Sequence, residues 1–242
     1  MRHAISIYKN SFRSMLKQIA DDYMLFAAMF APILAGVAIH FTVPYLEWVL
    51  TKHYQKAEIL LPYYPLADLL LSFVTPLMVG FICAMVMLSE KDDRIISYFT
   101  VTPLGKRGYL ISRLSFPCIL SAIIGGVITS LFHISSMSIG HIWGISLYNA
   151  LLGGLVCLFI ISMSANKVEG MAMGKLSGVM LLGIFIPFFI PGSVQYIGGI
   201  LPSYYVGKFI TTGQGVWMGF GLFVALVWLF SFYRRFIKHC FY

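Results

Sequence analysis

Charge is what this sequence has least of. Acidic and basic residues make up 11% of 242 positions and mean hydropathy is +0.85, whereas soluble domains carry about 25% charged residues. That excludes an ordinary soluble domain. The chain reads as an integral membrane protein. Cysteine is scarce too: Cys83, Cys118 and Cys157 fall in apolar segments and Cys240 in the basic tail, so none sits where an extracellular disulfide could close. They read as packing residues.

Other absences narrow the function. No Asp, Glu, Lys or Arg is expected in the middle of an apolar segment, the nearest being Asp68 at the outer end of the second. Proton- or sodium-coupled carriers usually need such groups, so a secondary transporter is disfavoured, as is conduction of a bare ion along a charged path. An embedded nucleophile or paired-His motif for an intramembrane hydrolase is missing as well. Gly170-Met-Ala-Met-Gly174-Lys175 has three residues between its glycines where a phosphate loop needs four, and Leu176 stands where Ser or Thr must meet magnesium. No catalytic, cofactor or metal residues are expected. His40, His53, His133 and His141 map near one face without ligand spacing. The basic first residues lack a short apolar core with a cleavage site, so no removable signal peptide is expected.

What is present is a set of long apolar runs. Spans of about 20 residues are expected at Tyr23–Val43, Ala67–Leu88, Leu114–Phe132, Ile142–Met163 and Val216–Tyr233. Between the last two, Leu176–Ile190 is short for a bilayer: at 1.5 Å per residue it reaches roughly 22 Å of a core about 30 Å thick. Charge favours a full crossing. With six spans and both termini cytoplasmic, Arg2, Lys9, Arg13, Lys17, Lys91, Arg94, Lys106, Arg107, Arg113, Lys167, Lys175, Arg234, Arg235 and Lys238 are inside; Lys52, Lys56 and Lys208 are outside. The positive-inside rule asks for that split. The fold class expected is all-α, with six transmembrane helices in the plasma membrane. Residues 192–214, broken by Pro202 and paired glycines, read as a shallow re-entrant element or as a loop on the outer surface.

Ahead of the first span, Ile5, Tyr8, Phe12, Met15, Leu16 and Ile19 recur at helical steps, with Lys9, Arg13 and Lys17 on another face. Such a helix suits the membrane interface; a partly helical cytosolic arm is the alternative. After the second span, Ser89 and Asp92 have capping-box spacing, and Glu90, Asp92 and Asp93 place negative charge on the following turn. A short helix is expected from there, with Ile95, Ile96 and Phe99 as its apolar face, stopped by Thr102, Pro103 and Gly105. It could dock in a soluble partner or lie against its own bundle.

The remaining features each carry two readings. Asn149, Thr75, Thr129 and Ser121 could bond between helices or touch a substrate. Gly215 with Gly219, Gly125-Gly126 and Gly153-Gly154 could pack within one subunit or between two. Tyr45, Trp48, Tyr54, Tyr63, Tyr64, Trp143, Tyr204 and Tyr205 crowd the outer face, as an interfacial belt or as the mouth for a hydrophobic substrate.

Six spans behind a basic amphipathic helix, with an acidic turn, an apolar helix and VTPLGKRGYLISR after the second span, resemble the ABC-2 type permeases of ATP-driven transporters. The segment NKVEGMAMGK, Asn166 to Lys175, is similar to their second cytosolic loop. The resemblance implies an elbow helix over residues 1–22 and a transmembrane domain over 23–242 with a coupling helix at about 89–105. Its implied contacts with the ATPase subunits are Glu90, Asp92, Asp93, Arg94, Ile95, Ile96, Phe99, Thr102 and Pro103, with Tyr109 and Arg113 in the same pattern. Lys167, Glu169 and Lys175 belong to the second loop. Implied partners are cytosolic ABC ATPases holding ATP and magnesium, a second permease subunit and the lipid bilayer, with no nucleic acid. The implied function is export of a peptide, drug or other amphipathic substrate; a non-transporting scaffold or immunity protein is the alternative.

Overall fold

The computed structural model describes residues 2–95 and 105–241, with side chains over 12–95 and 108–237. Helix α1 runs Arg2–Asp21, α2 Tyr23–Ala28, α3 Ala31–Tyr54, α4 Tyr64–Asp92 and α5 Gly105–Phe132. Then follow α6 Ile139–Met163, α7 Lys167–Ser177, α8 Leu182–Phe189, α9 Pro202–Thr212 and α10 Val216–Phe241. Among the described residues there are no strands. Six stretches are long and apolar enough to cross a membrane: Tyr23–Tyr54, Leu61–Asp92, Gly108–Phe132, Ile139–Met163, Lys167–Phe189 and Val216–Ile237. This is a multi-pass helical membrane protein.

Helices α4 and α6 form the buried centre, while α3 and α10 lie outside with largely uncovered faces. Small residues let the backbones approach, the usual device where lipid removes the hydrophobic drive between helices. A Cβ on Gly80 of α4 would meet the Gly153 carbonyl oxygen of α6 at 2.6 Å, and one on Gly154 would meet Cys118 Sγ of α5 at 2.8 Å. Gly126 lies likewise against the Trp143 ring. The glycine pairs of α5 and α6 therefore pack within one subunit. No atom lies within 4 Å of a Cβ built on Gly215 or Gly219. Cys83 and Cys157 are buried and Cys118 is partly so, in keeping with packing roles.

The fifth crossing is longer than its apolar run. Asn166 caps α7 by accepting from the Glu169 amide at 2.9 Å, and the helix continues through a 3-10 turn at Gly178–Leu181 into α8. The span is 23 residues, Lys167–Phe189, or ~34 Å at helical rise. Asn166–Lys175 is thus helix almost throughout, and not the loop that the family resemblance implied. Its glycines explain the difference: a Cβ on Gly170 would strike Leu88 of α4, and one on Gly174 would meet the Phe81 ring at 2.5 Å. Spaced one turn apart, they seat α7 on α4.

Residues 193–212 re-enter the bundle. After Gly192, at φ +83°, the chain turns back along α8 as a 3-10 segment over Ser193–Ile200, then reverses into α9. At the tip, the Ser203 hydroxyl donates to the Met180 carbonyl, and Tyr148 Oη donates to the Pro202 carbonyl at 2.8 Å. A Cβ on Gly183 would strike Ser203, and one on Gly207 the Ile184 carbonyl at 2.7 Å. The tip therefore lies level with Met180, well inside the span. Irregular backbone at such depth has to be held by protein. Tyr148 and Ser203 supply part of that.

Candidate functional site

The end of the bundle at which α1 enters carries a connected polar cluster. Glu90 on the last turn of α4 and Arg113 on α5 are each 1% exposed and form an ion pair. Arg113 Nε also donates to Glu90 Oε2 at 3.1 Å, Tyr109 Oη donates to the same oxygen at 2.7 Å, and Gln18 Nε2 of α1 reaches Oε1 at 3.1 Å. Three helices thus converge on one carboxylate. Burial of a charge is tolerated only with an opposite charge and satisfied lone pairs, and this arrangement provides both. Met15 and Ile19 of α1 are buried at the same junction, and the Phe12 ring lies 4.8 Å from that of Phe116.

A second group surrounds the start of α7. The Asp92 carboxylate accepts from the Lys167 amide at 2.9 Å, and Lys167 Nζ pairs with Asp22 at 2.8 Å. Asp22 also caps α2, accepting from the Met24 and Leu25 amides at 3.0 and 3.3 Å. The Lys167 ammonium, first, and those two amides hold the Asp22 carboxyl below its ordinary value, against the opposing effect of burial. Glu169 Oε2 closes the turn by accepting from the Ala165 amide at 2.7 Å. Gln18, Asp21, Asp22, Ser89, Asp93 and Lys167 line a cavity of ≈ 370 Å³ that also touches Ile95.

The expected capping box at Ser89 is not formed. Helix α4 runs on through Ser89, Glu90 and Lys91 to Asp92, and the chain turns just beyond it at Arg94, whose φ is +57°. Extending an existing helix costs less than nucleating a new one. Carboxylates at a helix C-terminus oppose the macrodipole, and here Arg113 and the Lys167 amide offset that. Of the expected coupling residues, Glu90 is interior, Asp92 is bound to α7, and Asp93 and Arg94 are exposed. Ile95 is half-buried. Ile96, Phe99, Thr102 and Pro103 lie outside the described residues.

Lys175, expected in the loop before the fifth span, lies on the span itself. It is exposed on the crossing Lys167–Phe189, and its neighbour Gly174 faces Phe81, near the middle of α4. The apolar run alone starts at Leu176, so the helix ahead of it was not expected to belong to the crossing. Asp68 is wholly buried and accepts from the Ile134 and Ser135 amides, both at 2.9 Å. It shapes the turn between α5 and α6. Asn149 Nδ2 donates to the Ser72 carbonyl at 3.1 Å, the interhelical role. Thr75, Thr129 and Ser121 are buried without a side-chain partner among the described residues.

At the far end, Glu47 accepts from the Ile59 and Leu60 amides, fixing the turn after α3. Lys208 Nζ donates to Gln195 Oε1 at 2.8 Å and lies 5.6 and 5.7 Å from the Tyr196 and Trp217 ring centres. That ties the re-entrant hairpin to α10. His40, His133 and His141 contact neighbouring backbone or hydroxyl groups, and no group of three potential metal ligands occurs among the described residues.

Six crossings, a re-entrant hairpin and a polar cluster at one end define a polytopic helical membrane protein. Residues 15–233 match the family described as Rv2686c-like, "Fluoroquinolones export permease protein Rv2686c-like". The chain belongs to that family of ABC-2 type export permeases. Two curated relatives from Mycobacterium tuberculosis bear the same kind of name: Fluoroquinolones export permease protein MT2760 of strain CDC 1551 / Oshkosh, and Rv2686c of strain ATCC 25618 / H37Rv. Each is 26% identical over 237 residues, covering 90% of this chain and 89% of the relative. No solved structure matches. The protein is a membrane permease of an exporter, residing in the bacterial cytoplasmic membrane.

Proposed function

We propose that this chain is the membrane-spanning subunit of an ATP-driven exporter of amphipathic aromatic compounds, fluoroquinolones among them. Two permease subunits are served by separate cytosolic ATPases that hold ATP and magnesium. The observation that carries the reading is the Glu90 junction: α1, α4 and α5 meet on one buried carboxylate, at the two helix ends that flank residues 96–104. Force applied to that segment passes directly into two spans and into the amphipathic helix. Glu90 acts as a brace in this scheme, and the exposed Asp93 and Arg94 are the contacts offered to the ATPase.

Topology supports the same orientation. With the Glu90 end in the cytosol, the basic α1 meets anionic headgroups with Phe12 and Leu16 uncovered, as an interfacial elbow requires. The relatives' names support the cargo. The test is co-expression with the ATPase encoded beside the gene, followed by copurification and ATPase assay. A stable complex whose ATPase rate rises with fluoroquinolone is expected, and the D93N/R94Q variant should lose that stimulation with the bundle intact. A chain that stays alone, or a variant that couples normally, overturns the assignment.

A further inference from the structure

Lys175 lies within a crossing, on a face that its own subunit leaves uncovered. Its Cα is eight residues along the span from Lys167, or ~12 Å deeper at helical rise. Lys167 itself marks the polar level through Asp22 and Asp92. Lys175 is exposed on its own subunit and makes no hydrogen bond, ion pair or ring contact among the described residues. Around it lies an uncovered apolar stripe of Val168, Met171, Leu176, Val179 and Leu182. The opposite face, with Gly170 and Gly174, is the one packed on α4.

Snorkelling reduces the cost without carrying the ammonium to the Lys167 level. Helical side chains lean toward the N-terminus, here the polar end, yet an extended lysine covers only ~6 Å by bond geometry. That leaves the ammonium about halfway short of the Lys167 level. Ionisable groups at such depth face water-filled cavities rather than lipid, and they mark substrate routes.

We propose that Lys175 binds the carboxylate of an amphipathic aromatic cargo, on a wall of the transport route formed by the uncovered stripe of α7. The cargo part of this inference rests on the export reading above. Charge complementarity selects the occupant: an isolated ammonium within an apolar stripe fits a flat apolar body bearing one carboxylate. Fluoroquinolones, with a carboxylate on a fused aromatic ring, are of that chemistry. The ammonium would fix cargo orientation, while the Val, Met and Leu side chains tolerate varied ring systems.

The test uses the full chain in phosphatidylcholine nanodiscs and two acid/ester pairs: a fluoroquinolone with its methyl ester, and 2-naphthoate with its methyl ester. The wild type should bind each acid about tenfold more tightly than its ester, the size of a charge-assisted contact. K175A should abolish that ratio by weakening the acid alone, and K175R should restore it. An unchanged ratio in K175A, or no acid preference in the wild type, overturns the proposal. A Lys175-dependent preference for naphthoate with no fluoroquinolone binding defeats the cargo reading and upholds the carboxylate site. K175C should react with an impermeant methanethiosulfonate, read by peptide mass spectrometry, and be protected by the acid probe. Failure to react would place the residue against lipid and overturn the proposal, as would a K175A effect confined to retention of phosphatidylglycerol.

Discussion

The Asp92 carboxylate accepts a hydrogen bond from the Lys167 amide at 2.9 Å, tying the last turn of α4 to the first turn of α7 across 75 positions of sequence. An anion at a helix N-terminus is worth about 0.3–1 kcal/mol. Together with the pairing of Lys167 and Asp22 at 2.8 Å, it fixes where the fifth crossing begins. D92A should lower stability by about 1 kcal/mol and D92N by less, read as thermal midpoints of the purified protein.

Asp22 gives a pH signature. Its carboxyl is held below the ordinary 3.8, chiefly by Lys167. A depressed native pKa contributes stability that is fully present above the unfolded-state value and lost as pH falls through the native one. The thermal midpoint of the wild type should therefore fall more steeply than that of D22N below about pH 4, and the two should run parallel from pH 5 to 7. Parallel curves throughout would show that the pair contributes nothing.

The Glu90–Arg113 pair should behave as a buried unit. Removing one partner strands a charge at a site where both are 1% exposed, so E90L or R113M alone should cost about 3–5 kcal/mol. The double variant E90L/R113M should be markedly less damaging than either single change. If the two singles simply add, the pair is not the brace described.

Glycine substitutions separate packing within the subunit from open surface. G80A forces a methyl against the Gly153 carbonyl at 2.6 Å, which is backbone and cannot swing aside, and should cost about 1–3 kcal/mol. G170A meets flexible side-chain ends of Leu88 and Met85 and should cost less. G219A, with nothing within 4 Å, should leave the single subunit's stability unchanged.

The re-entrant tip depends on Tyr148. Removing its hydroxyl in Y148F leaves the Pro202 carbonyl, bonded at 2.8 Å, without that donor, a loss of about 1 kcal/mol. Hydrogen exchange across 193–212 should rise while that of α4 and α6 stays slow.

Much of this architecture was legible in one dimension. Apolar runs and the distribution of lysine and arginine gave the crossings and called for a full fifth span, because bilayer thickness and the cost of polar groups in lipid act on composition. Proline and glycine after Ile190 marked a break, since breakers are local, but left a re-entrant element and an outer loop equally open; the Ser203 and Tyr148 contacts decided between them. Helix boundaries were less legible. Ser89 and Asp92 have the spacing of a cap, yet α4 runs through them, because Arg113, Tyr109 and the Lys167 amide satisfy their neighbours from elsewhere in the chain. Asn166–Lys175 looked like a loop because its glycines are silent until Phe81 and Leu88 are seen packed against them.

The sequence by itself determined that this is a six-span membrane protein with a charged connector after the second span, because the bilayer reads hydrophobic length and charge without reference to tertiary contacts. Tertiary structure alone decided that Glu90 is buried against Arg113, Tyr109 and Gln18 and that Lys175 lies within a span without a partner among the described residues. Those roles depend on which helix faces lie together, and pairings across tens of residues leave no local trace in the chain.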